Sequence, residues 1–412
     1  MADSRPQVIL IAYYFPPSEE IGAMRPARFD KYLRRMGYEC QVITATAQRE
    51  PRPGVTMVRD ELEGVWDRAG ERLPFKAYIE LLFRMMFPGH TGFLWSWAVA
   101  AECRRIVKNN PGKRFVVFST YPPIGTVMAG LNIRLRQKLA WIADFRDPIG
   151  GVPLHFLPRR VRFWVRVLER LAFRTADAVV ANTDAAAAAW REQYPAVGRK
   201  LHVIYNGFDP DDMPQAREIP SRPRRWIVHA GTLYRGRDPS AVLESFARLR
   251  ARGVAETASA GFRFIGQVDV KTDLTNAVFV EGQREGWLEL QGSIPRGQAL
   301  RALEEADGLL LVQPQTNLQI PGKLYEYICI GRPVLAIVPK ASAIESMLVK
   351  AGAAQVCIHP DDPPEVTDQK LLEFLRYPST AQPMNDWFQS NCNGKLQTEI
   401  LAGIVEQVAS RG

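Results

Sequence analysis

Short apolar runs alternate with amphipathic segments along most of the chain. Residues 8–14 form the first run, and residues 24–36 then carry apolar side chains at helical spacing. Pro26 fits the first turn of this segment and Gly37 its end, so the pattern predicts a strand followed by a helix. Further runs of strand length occur at residues 40–44, 116–120, 139–145, 177–181 and 202–205. Because these runs do not alternate apolar and polar residues, they predict strands buried on both faces, as in a parallel sheet covered by helices.

The rhythm stops at residues 209–225, which are rich in proline and charge and predict a linker. A second series of strands and helices starts at Trp226. We therefore expect an α/β fold with two Rossmann-like, doubly wound domains facing across a cleft. They would cover residues 1–208 and 226–380, with a C-terminal helical segment at 381–412. Ligands of such sheets bind beyond the carboxyl ends of the strands, so functional residues are expected in the strand-to-helix turns.

The composition fits a globular protein of this kind. The chain has 412 residues, of which 46% are hydrophobic and 24% charged, and this excludes a disordered chain or a disulfide scaffold. Its five cysteines lie at wide spacings without a CxxC pair, so we expect a reducing compartment and no zinc site. The start predicts no signal peptide, and the longest uncharged stretch, residues 85–101, is too short and broken to span a bilayer. These features predict a cytoplasmic protein, either soluble or peripheral on the inner face of the plasma membrane.

The net charge of +9 raises the question of an anionic partner. Four arginines follow one another at i+4 spacing on one predicted helix: Arg162, Arg166, Arg170 and Arg174. Like charges at this spacing destabilise a helix, and an anionic membrane surface would offset that cost. A solvated helix face explains the same pattern, and the sequence leaves both interpretations open. No nucleic-acid-binding pattern occurs, so no nucleic acid partner is expected.

Charged and turn-forming residues follow several predicted strands of the first half. Gly22 lies in the first strand-to-helix turn, where a glycine lets backbone N–H groups approach a phosphate or simply allows the chain to turn. Arg146 lies between Asp144 and Asp147 at the end of a buried strand, which is typical of a substrate clamp or of a structural ion-pair cluster. Asn206 precedes a glycine after the last strand, a common turn sequence placed at the expected domain hinge.

The second half carries two further candidate segments. Arg235 and Arg237 follow its first strand in a glycine-containing turn, where they either bind a pyrophosphate or are solvated turn charges. Lys323 and Glu326 are three residues apart and share one face of an apolar helix. Since a buried carboxylate needs a partner, Glu326 either pairs with Lys323 or accepts hydrogen bonds from sugar hydroxyls while Lys323 contacts a phosphate.

Five segments match motifs of a known family in the family's order: YYFPPSEEIGAMRPARFDKYL, WIADFRDP, VIYNGFD, HAGTLYRGRDP and PGKLYEYICIGRPVLAI. Together they cover nearly the whole chain, which resembles bacterial GT-B glycosyltransferases of family 4, used in polysaccharide and lipopolysaccharide assembly. The resemblance implies a nucleotide-sugar donor held mainly by the second domain and an acceptor held mainly by the first. It also implies retention of anomeric configuration, no bound metal, and no cofactor apart from the donor as co-substrate.

The same resemblance assigns roles to individual residues. Glu326 matches the second Glu of the family's E-x7-E pattern, which binds the donor ribose, whereas Leu318 stands at the position of the first Glu. Thr232 stands where the family has an arginine for the diphosphate, so that role passes to Arg235, with Arg237 near the usual lysine. The other matches are Gly22 beside the donor phosphate, Ser293 and Ile294 at the turn whose backbone contacts the base, and residues 391–410 as the helix that crosses back to the first domain.

The combined expectation is glycosyl transfer from a UDP-linked donor to a lipid-linked or saccharide acceptor in cell-surface polysaccharide assembly. Arg235, Arg237 and Lys323 would neutralise charge on the leaving diphosphate. Arg146 and Asp147 would position the acceptor or the sugar, and Asp144 and Asn206 would support them.

Two alternatives remain open at this point. One is a sugar-nucleotide epimerase or hydrolase of the same fold, which would turn over donor without an acceptor. The other is a catalytically degenerate scaffold that binds nucleotide-sugar, which the departures at Leu318 and Thr232 would fit.

Overall fold

The computed structural model describes residues 5–18, 20–48, 50–62, 75–87, 92–149, 157–233, 236–268 and 276–411. The chain forms two compact units. Unit 1 contains residues 1–209 and 391–412, and unit 2 contains residues 210–390. The chain therefore leaves unit 1, builds unit 2, and ends in unit 1 again.

Unit 1 is built on a parallel sheet of seven strands in the order β3-β2-β1-β4-β5-β6-β7. Its strands are β1 (Gln7–Ile11), β2 (Cys40–Thr44), β3 (Val55–Met57), β4 (Phe115–Tyr121), β5 (Ala140–Phe145), β6 (Ala178–Ala181) and β7 (Leu201–Val203). Its helices are α1 (Ile21–Arg35), α2 (Phe75–Met86), α3 (Phe93–Lys108), α4 (Ile124–Gln137), α5 (Arg159–Thr175), α6 (Asp184–Gln193), a 3-10 helix (Pro195–Lys200) and α15 (Gly394–Ala409). The strand order reverses between β1 and β4, and ligands of such sheets bind at this switch point.

Side chains of this sheet are buried on both faces. Ile9 and Val117 belong to one apolar cluster, and their neighbours Val8 and Val116 belong to a second cluster that also contains residues of α1 and α15. The doubly covered sheet expected from unbroken apolar runs is therefore present.

Unit 2 has a parallel sheet of six strands in the order β10-β9-β8-β11-β12-β13. Its strands are β8 (Arg225–Ala230), β9 (Ala260–Ile265), β10 (Leu288–Gln291), β11 (Gly308–Val312), β12 (Val334–Ile337) and β13 (Gln355–Ile358). Its helices are α7 (Ser240–Ala251), α8 (Ala255–Ala258), α9 (Ala277–Arg284), α10 (Arg296–Glu304), α11 (Gly322–Ile330), α12 (Ala343–Lys350) and α13 (Pro364–Arg376), and α14 (Asp386–Cys392) crosses the boundary to unit 1. The switch point lies between β8 and β11, which are neighbours. The predicted α/β fold class with two doubly wound sheets is confirmed.

The predicted linker is anchored on unit 2. Arg217 donates to Glu304 at 2.6 Å and Arg222 donates to Asp307 at 2.7 Å. The proline-rich segment after residue 209 is thus tied down by ion pairs, although it forms no helix or strand before β8.

Candidate active site

The start of helix α1 lies at the switch point of unit 1 and is held there by a distant side chain. The apolar spacing predicts a start at Met24, but the helix begins at Ile21, so Pro26 lies inside it. Proline has no N–H, so the carbonyl of Gly22, four residues earlier, loses its helical partner. Arg146 supplies the missing donor, with Nη1 at 2.7 Å from that carbonyl oxygen.

Arg146 connects several strand ends at once. Its Nε donates to the carbonyl of Tyr121 at 3.1 Å and its Nη2 to that of Pro122 at 2.8 Å. The Asn182 amide, which follows β6, donates to the carbonyl of Arg146 itself. Arg146 is 9% exposed, and burial is the main cause that lowers its pKa. We conclude that Arg146 holds the carboxyl ends of the strands, which we call the rim of the sheet, through backbone carbonyls. It forms no salt bridge with Asp144 or Asp147.

Asp144 is bound by a residue that the sequence did not single out. Arg25 of α1 donates Nη2 to Asp144 Oδ1 at 2.7 Å and Nε to Oδ2 at 3.1 Å, and Thr120 donates to Oδ2 at 2.6 Å. Arg25 also donates to the carbonyl of Tyr205 at 2.7 Å and to Asn206 Oδ1 at 3.4 Å. Asp144 and Asn206 are therefore brought together by Arg25, and both oxygens of Asp144 are already occupied.

Asp147 differs from its neighbours at this rim. Asp147 is partly buried, and no described residue donates a hydrogen bond to its carboxylate. Burial raises the pKa of Asp147 to about 6, and the charge of Arg146 limits the rise. Asp147 is thus the predicted residue of unit 1 whose carboxylate is left to accept a hydrogen bond from a ligand hydroxyl.

The corresponding switch point of unit 2 is built around the first turn of α11. Lys323 lies in this turn and donates Nζ to the carbonyl of Ala230, the last residue of β8, at 3.0 Å. A Cβ atom on Gly231 would lie 2.7 Å from Nζ, and Gly231 has φ +131°. Only glycine allows both this backbone conformation and the close approach of the lysine.

The lysine ammonium is held in an unfavourable environment. Burial and the nearby charge of Arg237 lower the pKa of Lys323 to about 7, while Glu326 acts in the opposite direction. His229 lies behind it, fully buried, with Nε2 at 3.4 Å from Nζ, and burial holds the pKa of His229 well below its usual range. The first turn of a helix also presents unpaired backbone N–H groups. An anion bound here would restore the charge of Lys323 and meet Arg237 as well.

Glu326 forms its salt bridge with a residue of helix α10 and not with Lys323. Arg296, at the start of α10, donates Nη2 to Glu326 Oε1 at 2.6 Å. This pair brings the turn after β10, with Ser293 exposed and Ile294 half-buried, towards α11. Glu326 Oε2 receives no hydrogen bond from a described residue, so it can still accept one from a hydroxyl group.

The loops after β8 and β11 also approach each other. A Cβ atom on Gly236 would lie 2.5 Å from Nε2 of Gln315. Thr232 is exposed and Leu318 is half-buried. The predicted donor residue Arg235 lies outside the described residues. Arg237 is described and half-buried.

A scan of protein families identifies one match. Residues 27–212 match the model described as Glycosyltransferase Family 4. No curated protein sequence matches the chain at a significant level.

Solved structures match over nearly the full length. The sucrose-phosphate synthase of Thermosynechococcus elongatus is 12% identical, with 99% of this chain and 100% of that chain covered and a TM-score of 0.68. WaaG, a glycosyltransferase involved in lipopolysaccharide biosynthesis, is 15% identical, with 98% and 99% covered and a TM-score of 0.57. A trehalose-6-phosphate protein from E. coli bound with UDP-2-fluoro glucose is 10% identical, with 98% of each chain covered and a TM-score of 0.60. At these identities the structural likeness establishes the fold.

The chain is a glycosyltransferase of the GT-B type. The predicted resemblance to GT-B enzymes of family 4 is confirmed. Several residues that organise the site of this glycosyltransferase were missed from the sequence, namely Arg25, Asn182, Arg296 and Gln315. Of these, Arg25 and Arg296 carried a signal, because each lies inside or next to a segment that the motifs already marked.

Proposed function

We propose that the glycosyltransferase moves a sugar from a UDP-linked donor to a lipid-linked or saccharide acceptor in cell-surface polysaccharide assembly. The observation that carries the donor site is the arrangement of Lys323, Arg237 and the glycine turn at the start of α11. Lys323 is half-buried, and without an anion its pKa is lowered to about 7, mainly by burial, as expected of a residue that receives a diphosphate. The E. coli structural neighbour was solved with UDP-2-fluoro glucose, which favours a uridine donor.

We assign the chemical roles as follows. The bond between the anomeric carbon and the diphosphate oxygen breaks, and the acceptor hydroxyl oxygen bonds to the same carbon with retention of configuration. Lys323 and Arg237 stabilise the charge that develops on the diphosphate, and the hydroxyl proton passes to that leaving group. Glu326 accepts hydrogen bonds from the ribose, and the backbone of Ser293 and Ile294 contacts the base. These cations take the place of a metal ion, so turnover should persist with EDTA. Arg235 is proposed to assist them.

In unit 1 we assign Asp147 to the acceptor hydroxyl. A carboxylate whose pKa is about 6 is largely ionised at pH 7 and accepts a hydrogen bond. Arg146 acts as a positioning residue, because its N–H groups bind carbonyl oxygens of Gly22, Tyr121 and Pro122. Asp144 and Asn206 support this rim through Arg25. Gly22 lies in the first turn of α1 and not in the preceding loop, and we propose that this turn approaches the donor phosphate.

The protein is further proposed to work in the cytoplasm, at the inner face of the plasma membrane. Arg166, Arg170 and Arg174 are exposed on α5, and Arg162 is half-buried at its start. Exposed arginines favour an anionic surface, and each basic side chain near such a membrane contributes about 1 kcal/mol.

Thermal unfolding in the presence of UDP, GDP, ADP, dTDP and CMP tests the donor site. A nucleotide at 100 times its dissociation constant adds about 2.7 kcal/mol to stability, so UDP should raise Tm clearly. Lys323→Gln should abolish the shift, and the matched control Lys340→Gln, an exposed lysine of the same unit, should preserve it. Stabilisation by another nucleotide would correct the base, and no stabilisation by any of them would overturn the donor site. Donor turnover that needs no acceptor and leaves an epimerised or free sugar would favour the epimerase or hydrolase alternative.

A further inference from the structure

Helix α2 exposes most of its large apolar side chains. Within the helix only Ala77 and Glu80 are buried. Six of its eight large apolar residues are exposed, with exposed fractions from 36% to 81%: Phe75, Tyr78, Ile79, Leu81, Leu82 and Met85. Single exposed apolar residues are ordinary, but a group of this size on one helix is typical of a surface that contacts a partner or a membrane.

Helix α5 packs against α2 and also exposes apolar side chains. Its exposed apolar residues are Phe163, Trp164, Val167 and Leu171. At 100° per residue, Val167 and Leu171 lie beside the exposed row of Arg166, Arg170 and Arg174. None of these three arginines forms a salt bridge with a described carboxylate. We call the exposed apolar residues of α2 and α5, together with these three arginines, the docking face.

The charges of the docking face indicate what covers it. The only carboxylates on the two helices are Glu80 and Glu169, and each is 1% exposed. A second copy packed symmetrically on this face would bring arginines against two helices that expose no acidic side chain of their own. An anionic lipid bilayer offers both an apolar layer for α2 and phosphates for the arginines. No helix in the described part of the chain is long and apolar enough to cross a membrane, so the face would lie on the bilayer surface.

The docking face lies next to the rim that carries Asp147. The backbone N–H of Ile149, two residues after Asp147, donates to Glu169 on the buried side of α5. As a crossover helix, α5 runs opposite to β5, so its residues before Glu169 lie towards the carboxyl end of the sheet. Ten residues, Arg159–Leu168, extend in that direction, a length of about 15 Å.

We propose that the docking face binds an anionic bilayer and so places the acceptor rim of unit 1 at the membrane surface, which makes the acceptor lipid-linked rather than a free saccharide. The proposal rests on the proposed function for its acceptor, but the binding itself does not depend on catalysis. It adds α2 as the apolar part of the membrane contact, and α5 as the helix that joins the contact to the acceptor rim.

Flotation of the full chain with lipid vesicles tests the docking face. We expect binding to vesicles of phosphatidylcholine mixed with phosphatidylglycerol, and little binding to phosphatidylcholine alone. Ile79→Ser combined with Leu82→Ser removes the apolar part, and Arg166→Gln, Arg170→Gln and Arg174→Gln together remove the charges. Each set should weaken binding to anionic vesicles roughly tenfold or more.

Matched controls remove similar side chains elsewhere in unit 1. Ile400 on α15 and the exposed Arg104 and Arg191 lie on other helices, and Ile400→Ser or Arg104→Gln with Arg191→Gln should leave vesicle binding unchanged. The Tm shift with UDP should persist in every variant, because the donor site lies in unit 2. A failed UDP shift with intact vesicle binding would refute the proposed function alone.

Three results would overturn membrane binding by the docking face. The first is no binding to anionic vesicles, and the second is an equal loss of binding in the controls. The third is a concentration-dependent dimer that Ile79→Ser with Leu82→Ser dissociates, which would assign the face to a second copy. For the acceptor, UDP release should rise with a membrane lipid extract in anionic vesicles and fall in the docking-face variants. Equal stimulation by the water-soluble saccharides of the same cells would refute the lipid-linked acceptor.

Discussion

The lowered pKa of Lys323 makes donor binding depend on pH in a defined way. Without an anion, burial and Arg237 place this pKa at about 7 instead of 10.5. A bound diphosphate lies against the ammonium and should return the pKa to its ordinary range or above. Above pH 7, UDP binding is therefore coupled to the uptake of a proton from the solvent by Lys323, and this uptake approaches one proton per UDP as the pH rises.

The magnitude follows from this linkage. Between the free and bound pKa values, the dissociation constant of UDP should rise tenfold for each pH unit, which corresponds to about 1.4 kcal/mol. The phosphates of UDP do not contribute, since a terminal phosphate with a pKa of about 6 is already ionised in this range. From pH 7.5 to 8.5 we expect about a tenfold loss of affinity.

Isothermal titration calorimetry measures both consequences. At pH 8.5, titrations in two buffers with different ionisation enthalpies should show the uptake of nearly one proton per UDP. Lys323→Gln should bind weakly with no pH dependence, and Lys340→Gln should keep the slope of the unaltered protein. A dissociation constant that is the same at both pH values, or a slope that survives in Lys323→Gln, would refute the reasoning.

Three further predictions concern stability and the glycine turn. Arg146→Met removes the side-chain donor of the carbonyls of Gly22 and Pro122, whereas the carbonyl of Tyr121 keeps the backbone N–H of residue 146. Because each lost donor costs about 1–3 kcal/mol, urea unfolding should shift to clearly lower concentration. Gly231→Ala should abolish the UDP-induced Tm shift, because its Cβ would meet Lys323, whereas Gly253→Ala, also at positive φ but in open space, should keep it. Burial raises the pKa of Glu169 from 4.5 to about 7, so its folded form binds the proton more tightly and stability falls as pH rises between these values. The difference in unfolding free energy between the unaltered protein and Glu169→Gln should therefore fall by up to about 3 kcal/mol from pH 4.5 to 7 and stay constant above; an unchanged difference would refute the assignment.

The strands could be predicted because their signal is local. The run at residues 40–44 coincides with β2, and the other predicted strands of the first sheet overlap the observed ones. Unbroken apolar runs need burial on both faces, and this requirement does not depend on the rest of the chain. The start of α1 depends on a distant residue, since Pro26 is tolerated inside the helix where Arg146 binds the carbonyl of Gly22. The sequence around α1 alone could not predict this contact.

In the candidate site, too, local sequence predicted which residues matter but not their distant partners. The motifs marked Asp144, Arg146 and Glu326 as buried or strand-end charges that needed partners. They did not identify the partners, because Arg25 is 119 residues from Asp144 and Arg296 is 30 residues from Glu326. Pairing within a motif, such as Lys323 with Glu326, was the only pairing that spacing suggested, and it does not form. Residue type therefore predicted where charge is buried, and the topology of each sheet decided which charges meet.

The chain's return to unit 1 has a consequence for dissecting the enzyme. The two ends that meet at the unit boundary lie side by side, since Phe208 N–H donates to the carbonyl of Cys392 at 3.0 Å and Gly394 N–H donates to that of Phe208 at 2.9 Å. A gene that joins residue 209 directly to residue 391 would therefore encode unit 1 as one continuous polypeptide, while residues 210–390 already form one. Truncation from the C-terminus would instead remove α15 from the apolar cluster around β1. Unit 2 is thus inserted into unit 1. Deletion of residues 210–390 would remove unit 2 as a whole, whereas truncation from the C-terminus would remove part of unit 1.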